Sequence, residues 1–388
     1  GPAAAAAAPP SPPSHAIGRG LLVRGPCLVY LCAFVSLGVQ LDGLVGSHGL
    51  LPASRLVEAL HQYPDASPLW PAPTLFWFGS GDAALEAAWV AGAAAALLAM
   101  AGALPAPALA VAWILYRSLA VVGQTFLGFQ WDTLLLEAGF LGVFLAPWSL
   151  RLSARSPAPA RAGLALAWWL AVRLFFFSGF VKLASGDPTW WTLEALGFHW
   201  WTQPLPTWTA WWAARLPDAF DRAGVAATLA IELLLPWLIP FGRAPRLVAC
   251  AGFVLLMATI AATGNYGFFN LLAVVICLPL VDDATWRRLL RRPAPKAEPR
   301  AESPVQRRAV AMVAALLVAV TVPLSLAQAR LWGAFPDPVS DLVDVAARPG
   351  LGNACDQVVE RLDIARGGAG AHRLCRHRVD LRAEGVGG

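Results

Sequence analysis

The sequence predicts an all-α polytopic membrane protein, with about nine transmembrane helices and interfacial helices in two outer loops. Three observations carry this. Of 388 residues, 57% are hydrophobic and only 14% charged, against roughly a quarter charged in soluble domains. Apolar runs close to the ~20 residues that a bilayer core demands recur along the chain. Lysines and arginines gather in short clusters between those runs, where they act as topology signals. The net charge of +5 is therefore no sign of nucleic acid, and no nucleic-acid partner is expected.

Residues 1–18 begin "GPAAAAAAPPSPPS", a low-complexity stretch that cannot bury a core and predicts a disordered N-terminus. The membrane domain occupies 19–335. Its first apolar run, 21–44, is long enough to serve as an uncleaved signal-anchor. The other candidate spans are 84–104, 108–128, 133–150, 163–184, 225–241, 246–263, 266–281 and 309–330. The fourth and eighth are short, open to little tilt or to a re-entrant path. With the N-terminus inside, the inner segments hold 15 Lys and Arg and the outer loops three, which predicts a cytoplasmic N-terminus. Outer loops then cover 45–83 and 185–224, a cytoplasmic basic loop covers 284–308, and residues 336–388 form an extracytoplasmic tail.

The loop 45–83 contains "SHGLLPASRLVEALHQYP", which predicts a short amphipathic surface helix. The loop 185–224 holds seven of the chain's 18 tryptophans. Two readings fit it: an aromatic belt holding horizontal helices at the headgroups, or a binding surface for a partner. Cys27, Cys32, Cys250 and Cys277 fall in apolar runs as packing residues, and no Cys-x-x-Cys occurs. This argues against a thiol-redox enzyme or a zinc ribbon, and no metal site is expected. Cys355 and Cys375 pair if the tail faces an oxidising compartment.

Charge inside a bilayer costs about 3 kcal/mol per group on insertion scales, so buried ionisable residues should face the bundle interior and pair. Arg117, Glu137, Arg173, Lys182 and Glu232 fall within predicted spans. Arg117 and Arg173 could be neutralised by Glu137 and Glu232, in an order that spacing does not decide. Arg117, Val121, Gln124 and Gly128 lie on one helical stripe. The stripe leads toward Asp132 and Glu137, predicting a polar cavity that opens outward. Lys182 follows Arg173 by nine residues, about 180° round a helix, so the two serve opposite faces. Arg173 is then a structural pin. Lys182, just before the helix-breaking Gly186-Asp187-Pro188, either snorkels to the headgroups or is desolvated enough to act as a base. Asp187 is its nearest partner in sequence. His199 is the large loop's single histidine, more in keeping with a hydrogen-bonded surface group than a catalyst. Asn265 and Asn270 in "TGNYGFFN" cap the mouth between the seventh and eighth spans. No GxSxG, HExxH, Walker or Rossmann pattern occurs, which argues against the common hydrolase, metalloprotease and nucleotide chemistries.

Three segments, "YRSLAVVGQTFLGFQWDTLLLEAGFLGVFLAP" (116–147), "RLFFFSGFVKLASGDPTWWTLEALGFHWWTQPLP" (173–206) and "ATGNYGFFNLLAVVICLPLVDD" (262–283), resemble the lipase maturation factor family. The resemblance covers roughly residues 40–335. It implies an integral-membrane, chaperone-like protein that helps exported lipases fold and assemble, with membrane lipids and the lipase client as partners. Eukaryotic members reside in the endoplasmic reticulum membrane. The Ala/Arg/Pro-rich composition here points to a bacterial gene and hence to the inner membrane. Family members continue into an outside domain with an aromatic-rich ending, which residues 345–388 lack; a truncated or frame-shifted tail is expected. The client surface would be the Trp-rich loop, with Trp190, Trp191, Trp200, Trp201 and Gln203.

A second, local resemblance concerns "SGFVKLASGDPTWW", which is similar to the lysine segment of the vitamin K-dependent gamma-glutamyl carboxylases. Lys182, Leu183, Asp187 and Trp190 match in order, with a longer spacing. It implies an alternative in which Lys182 is a catalytic base, with His199 and Glu137 beside it. The substrate would be a lipid-soluble cofactor or an exported peptide. No cofactor is otherwise implied, beyond a lipid or quinone-like ligand in the outward cavity.

Overall fold

A computed structural model describes residues 16–61, 72–152, 161–203, 205–291 and 304–331. The N-terminal stretch 1–15, the Cys355–Cys375 pairing, the tail 336–388 and part of the basic loop lie outside these residues. Among the described residues there is no strand. Fifteen helices follow one another, with a single isolated bridge, Ala103 to Arg151, joining two turns.

The chain begins with α1 (Ala16–Gly38) and the short α2 (Leu41–Leu44) and α3 (Ala53–His61). α4 (Asp82–Met100), α5 (Pro105–Val122), α6 (Gln130–Leu145) and α7 (Arg161–Ala184) run to and fro across the bundle. Three short helices follow: α8 (Pro188–Trp191), α9 (Ala195–Thr202) and α10 (Trp208–Ala213). α11 (Asp218–Leu234) tightens into a 3-10 turn over Leu235–Phe241 where Pro236 and Pro240 remove backbone donors. α12 (Arg243–Thr263), α13 (Phe269–Cys277), α14 (Asp283–Leu289) and α15 (Pro304–Leu331) complete the set.

Among the described residues, six helices are long and apolar enough to cross a membrane: Gly20–Gly38, α4, α5, α7, α11 with its 3-10 extension, and α12. A seventh crossing exists if α13 with Leu278–Leu280 and α14 count as one span bent by 116°. That is fewer than the nine expected, and α15, at the expected ninth span, is only partly described; elsewhere the helices depart from the expected runs for local reasons. α6 has 16 residues, about 24 Å of helix against a core of ~30 Å. The run 266–281 breaks at Pro279. The run 108–128 stops being α-helix at Val122, because Gln124 takes a left-handed φ of 50° and opens a 3-10 turn. The run 21–44 ends at Gly38, with α2 separate beyond it.

α1 is the hub, packed on α4, α5, α6 and α13. Two glycines let its aromatic side chains in: a Cβ on Gly92 would collide with the Phe34 ring, and one on Gly139 with Tyr30. Small residues at such contacts let membrane helices approach closely. Tyr30, Phe34 and Tyr116 meet edge to face at the centre. The two phenols are not left unsatisfied there: Tyr30 donates to Leu135 O at 3.0 Å and Tyr116 to Asp132 Oδ1 at 2.6 Å. On the other side Phe175 of α7 stacks on Phe253 of α12.

The two ends of the bundle differ. One carries Arg24, Arg151, Arg243 and Arg246, tied to Met100 O, the Ala103 bridge, Asp282 and Leu280 O. The other carries α3, α8, α9 and α10, and is called the loop face below.

Candidate functional site: a cavity beneath the loop face

α7 and α11 run antiparallel and meet at Gly179, where a Cβ would lie 2.8 Å from Glu232 Cβ. That close approach brings Lys182 to Glu232. The ammonium donates to Glu232 Oε2 at 2.7 Å and Oε1 at 2.9 Å, and to Ser178 O, one turn back, at 3.0 Å. All three of its donors face acceptors. The Glu232 side chain is only 4% exposed. Trp190 of α8 presents its ring to the same ammonium at 5.5 Å, a cation–π distance. Lys182 is therefore neither snorkelling nor paired with Asp187. Asp187 instead caps α8, accepting from Thr189 N and Oγ1 at 2.9 and 2.8 Å. These bonds hold its carboxyl below the usual carboxylate range.

The pair lies in the wall of a cavity of about 540 Å³ between α7, α11 and α12. The roof is α9 with Trp190. His199 stands in the wall, its Nε2 3.4 Å from the Tyr266 hydroxyl and its ring stacked along Tyr266. Burial lowers the His199 pKa below its ordinary value, which favours the neutral ring. α9 is stapled down by Trp200 Nε1, which donates to Asp221 Oδ1 at 3.0 Å. The four tryptophans named from sequence split by direction. Trp190 and Trp200 face the cavity, whereas Trp191 and Trp201 face outward. Gln203, on α9's C-terminal side, is buried, and neither amide atom has a partner. α10 docks on the end of α12 through Thr207 and Thr209, whose hydroxyls both donate to Ala262 O.

The other predicted residues lie elsewhere. Arg173 and Glu137 form an ion pair between α7 and α6, on the opposite side of α7 from Lys182. Glu137 meets Arg173, and Glu232 meets Lys182. Asp132 is taken by Tyr116, Gln124 Nε2 donates to Leu51 O at 3.3 Å, and Arg117 lies half-buried on α5. None of Arg117, Gln124, Asp132 and Glu137 lines the cavity. The stripe expected from helical spacing is broken by the left-handed Gln124. Asn265 caps a turn by accepting from Gly267 N at 3.1 Å, and Asn270 is buried on α13. Glu137 is thus separated from Lys182 and His199, which do share the cavity. Among the described residues, no group of His, Cys, Asp and Glu could hold a metal ion.

Sequence reasoning missed Thr228, Tyr266 and Ser178. A signal existed for the first: Gly224, Thr228 and Glu232 recur every four residues on one face of α11. It also missed Arg246, which donates to Leu280 O and lies 4.4 Å over the Trp168 ring.

Residues 17–288 match the lipase maturation factor transmembrane domain. The chain is 40% identical over 285 residues to lipase maturation factor 2 of Xenopus laevis, a match covering 69% of this chain and 39% of that protein. It is 42% identical over 285 residues to lipase maturation factor 2 of Homo sapiens, covering 68% and 40%. Against lipase maturation factor 1 of Bos taurus it is 33% identical over 279 residues, covering 69% and 49%. The chain therefore spans less than half the length of these relatives. No solved structure matches it. An all-helical membrane bundle whose residues 17–288 carry this domain belongs to the lipase maturation factor family.

Proposed function

We propose that the chain assists the folding or assembly of exported lipases, holding the client against its loop face. The observation that carries this is the outward aromatic layer of α8 to α10. Trp201 is 85% exposed, Trp208 78% and Trp191 66%. Clustered exposed aromatics mark interaction sites, and the relatives are named for lipase maturation. The arginine-rich end belongs in the cytoplasm by the positive-inside rule. The N-terminus is then inside and the loop face meets the exported client. The membrane is the inner membrane in a bacterium, or the endoplasmic reticulum membrane in a eukaryote.

The test is the specific activity of a co-expressed exported lipase from the same genome. It is measured with the wild type, with Trp201→Ser/Trp208→Ser, or without the protein, at matched membrane levels. The double variant should lower lipase activity toward the level without the protein. Undiminished activity with the variant, or no dependence on the protein at all, sinks the reading.

A second reading, chemistry at Lys182, is favoured by one observation: Lys182 and His199 share a cavity wall. Lys182→Arg separates the two. Arginine keeps the charge and the bond to Glu232 but cannot act as a base at neutral pH. Normal lipase maturation with Lys182→Arg leaves the client reading, and its loss supports the enzyme.

A further inference from the structure

Most of the cavity's polar side chains are spent on the protein itself. Ser178 Oγ donates to Leu174 O at 2.7 Å, and Thr228 Oγ1 to Gly224 O at 2.8 Å. Thr259 and Thr263 donate to Leu255 O and Thr259 O, each at 2.9 Å. Every one of these bonds closes one turn back on its own helix, leaving only acceptor lone pairs toward the cavity. Lys182 and Glu232 neutralise each other. No spare charge is left to hold a phosphate, a carboxylate or an ammonium. A ligand meets mostly carbon, from Leu174 and Phe175 at one end to Met257 and Phe269 across from them. The exceptions are Gln130 and the pair His199 with Tyr266. At 3.4 Å their contact is beyond a good hydrogen bond, so both keep capacity to donate and accept. Gly264 places the Gln203 amide beside the same Tyr266 ring.

The shape is as specific as the lining. Glu232 is level with Gly179. From there α11 carries the wall about 12 Å to Gly224, and α7 carries it about 8 Å the other way to Leu174. A length of about 20 Å for a volume of about 540 Å³ makes the cavity long and narrow, a shape that suits an extended hydrocarbon chain. The hydrocarbon layer of one leaflet is about 15 Å thick, so the length of a whole acyl chain fits.

We infer that this cavity binds one single-chain neutral lipid of the monoacylglycerol class. Its hydroxyl- and ester-bearing head lies at His199 and Tyr266. Its chain runs past the Lys182–Glu232 pair to Leu174 and Phe175. The inference stands apart from the client reading, because no lipase enters its test.

The full chain is placed in phosphatidylcholine nanodiscs with a palmitate-derived monoacylglycerol that carries a diazirine at the chain terminus. Crosslinks are mapped by mass spectrometry. Labelling should fall on Leu174, Phe175 or Met257, and unlabelled monoacylglycerol should compete while lysophosphatidylcholine does not. Thr228→Trp fills the middle of the cavity and should cut deep labelling about tenfold, the cost of excluding about two methylenes. Thr228→Val keeps the volume and loses only a hydroxyl already spent on Gly224 O, so it should label like wild type. Labelling confined to lipid-facing positions such as Val248 and Leu255 overturns the inference. Equal competition by lysophosphatidylcholine also overturns it, as does deep labelling that survives Thr228→Trp.

Discussion

Lys182 and Glu232, 50 residues apart in the chain, meet in an ion pair of 2.7 Å beneath the loop face. Breaking a buried pair from one side strands the other charge, at about 3–5 kcal/mol. Lys182→Met should therefore destabilise the protein in detergent by that order. Lys182→Met/Glu232→Met, which removes both charges, should recover most of the loss. A double-mutant cycle on thermal unfolding checks this, and additive losses would contradict the pairing.

The Arg173–Glu137 pair ties α7 to α6. A hydrogen bond to a charged group is worth about 1.5–3 kcal/mol. Glu137→Gln should cost about that much while leaving monoacylglycerol labelling of the cavity unchanged, because Glu137 does not line it. Unfolding temperature and crosslinking on one preparation separate the two effects.

Tyr116 is the partner of Asp132 Oδ1, and Asp132 Oδ2 has none. Tyr116→Phe leaves the buried carboxyl without this donor, at about 1–3 kcal/mol. Asp132→Leu with Tyr116→Phe removes both polar ends and should be less destabilising than Tyr116→Phe alone. The comparison is made in guanidine-free thermal scans at fixed detergent.

His199 sets a pH dependence. Its ordinary pKa is 6.5 and burial lowers it in the folded protein. The unfolded chain thus binds the proton first as pH falls. The stability held by neutral His199 is fully present above about 6.5 and is lost as pH drops through and below that value. Thermal stability should decline from pH 7 to 5, and His199→Phe should flatten that part of the curve. An unchanged slope in the variant would assign the decline to other groups.

Close packing at α1 predicts a size-dependent defect. Gly92→Val pushes a side chain into the Phe34 ring and should cost about 1–3 kcal/mol as overpacking. Phe34→Leu in the same chain should relieve part of it, read as recovery of unfolding temperature.

The helical class was legible because the apolar runs are long and the charges few. Where each span ends was not. Hydropathy does not register a single left-handed residue such as Gln124, and Pro279 looked no different from prolines elsewhere. The opposite faces of Arg173 and Lys182 followed from helical geometry. Their partners did not, because depth alone cannot rank Glu137 and Glu232 against three cations. Gly179 decides it by letting α11 approach α7 at that level. The cavity found is lined by other residues than the α5 stripe that pointed to an outward cavity, for a similar reason. Its walls come from helices far apart in sequence, and its threonines look polar until their bonds to their own helices are known.

One side of α1 is covered by helices that come much later in the chain: Gly25 abuts Val275, and Ile17 N donates to Asp283 Oδ1 across 266 residues. At the usual ~5–20 residues per second of synthesis, that separation is roughly 13–53 s. For that time the side of the first helix around Gly25 stays uncovered, while α4 to α6 already pack on its other sides. Membrane insertion must therefore hold or shield α1 until α13 and α14 arrive, and the bundle closes only near the end of translation of this domain.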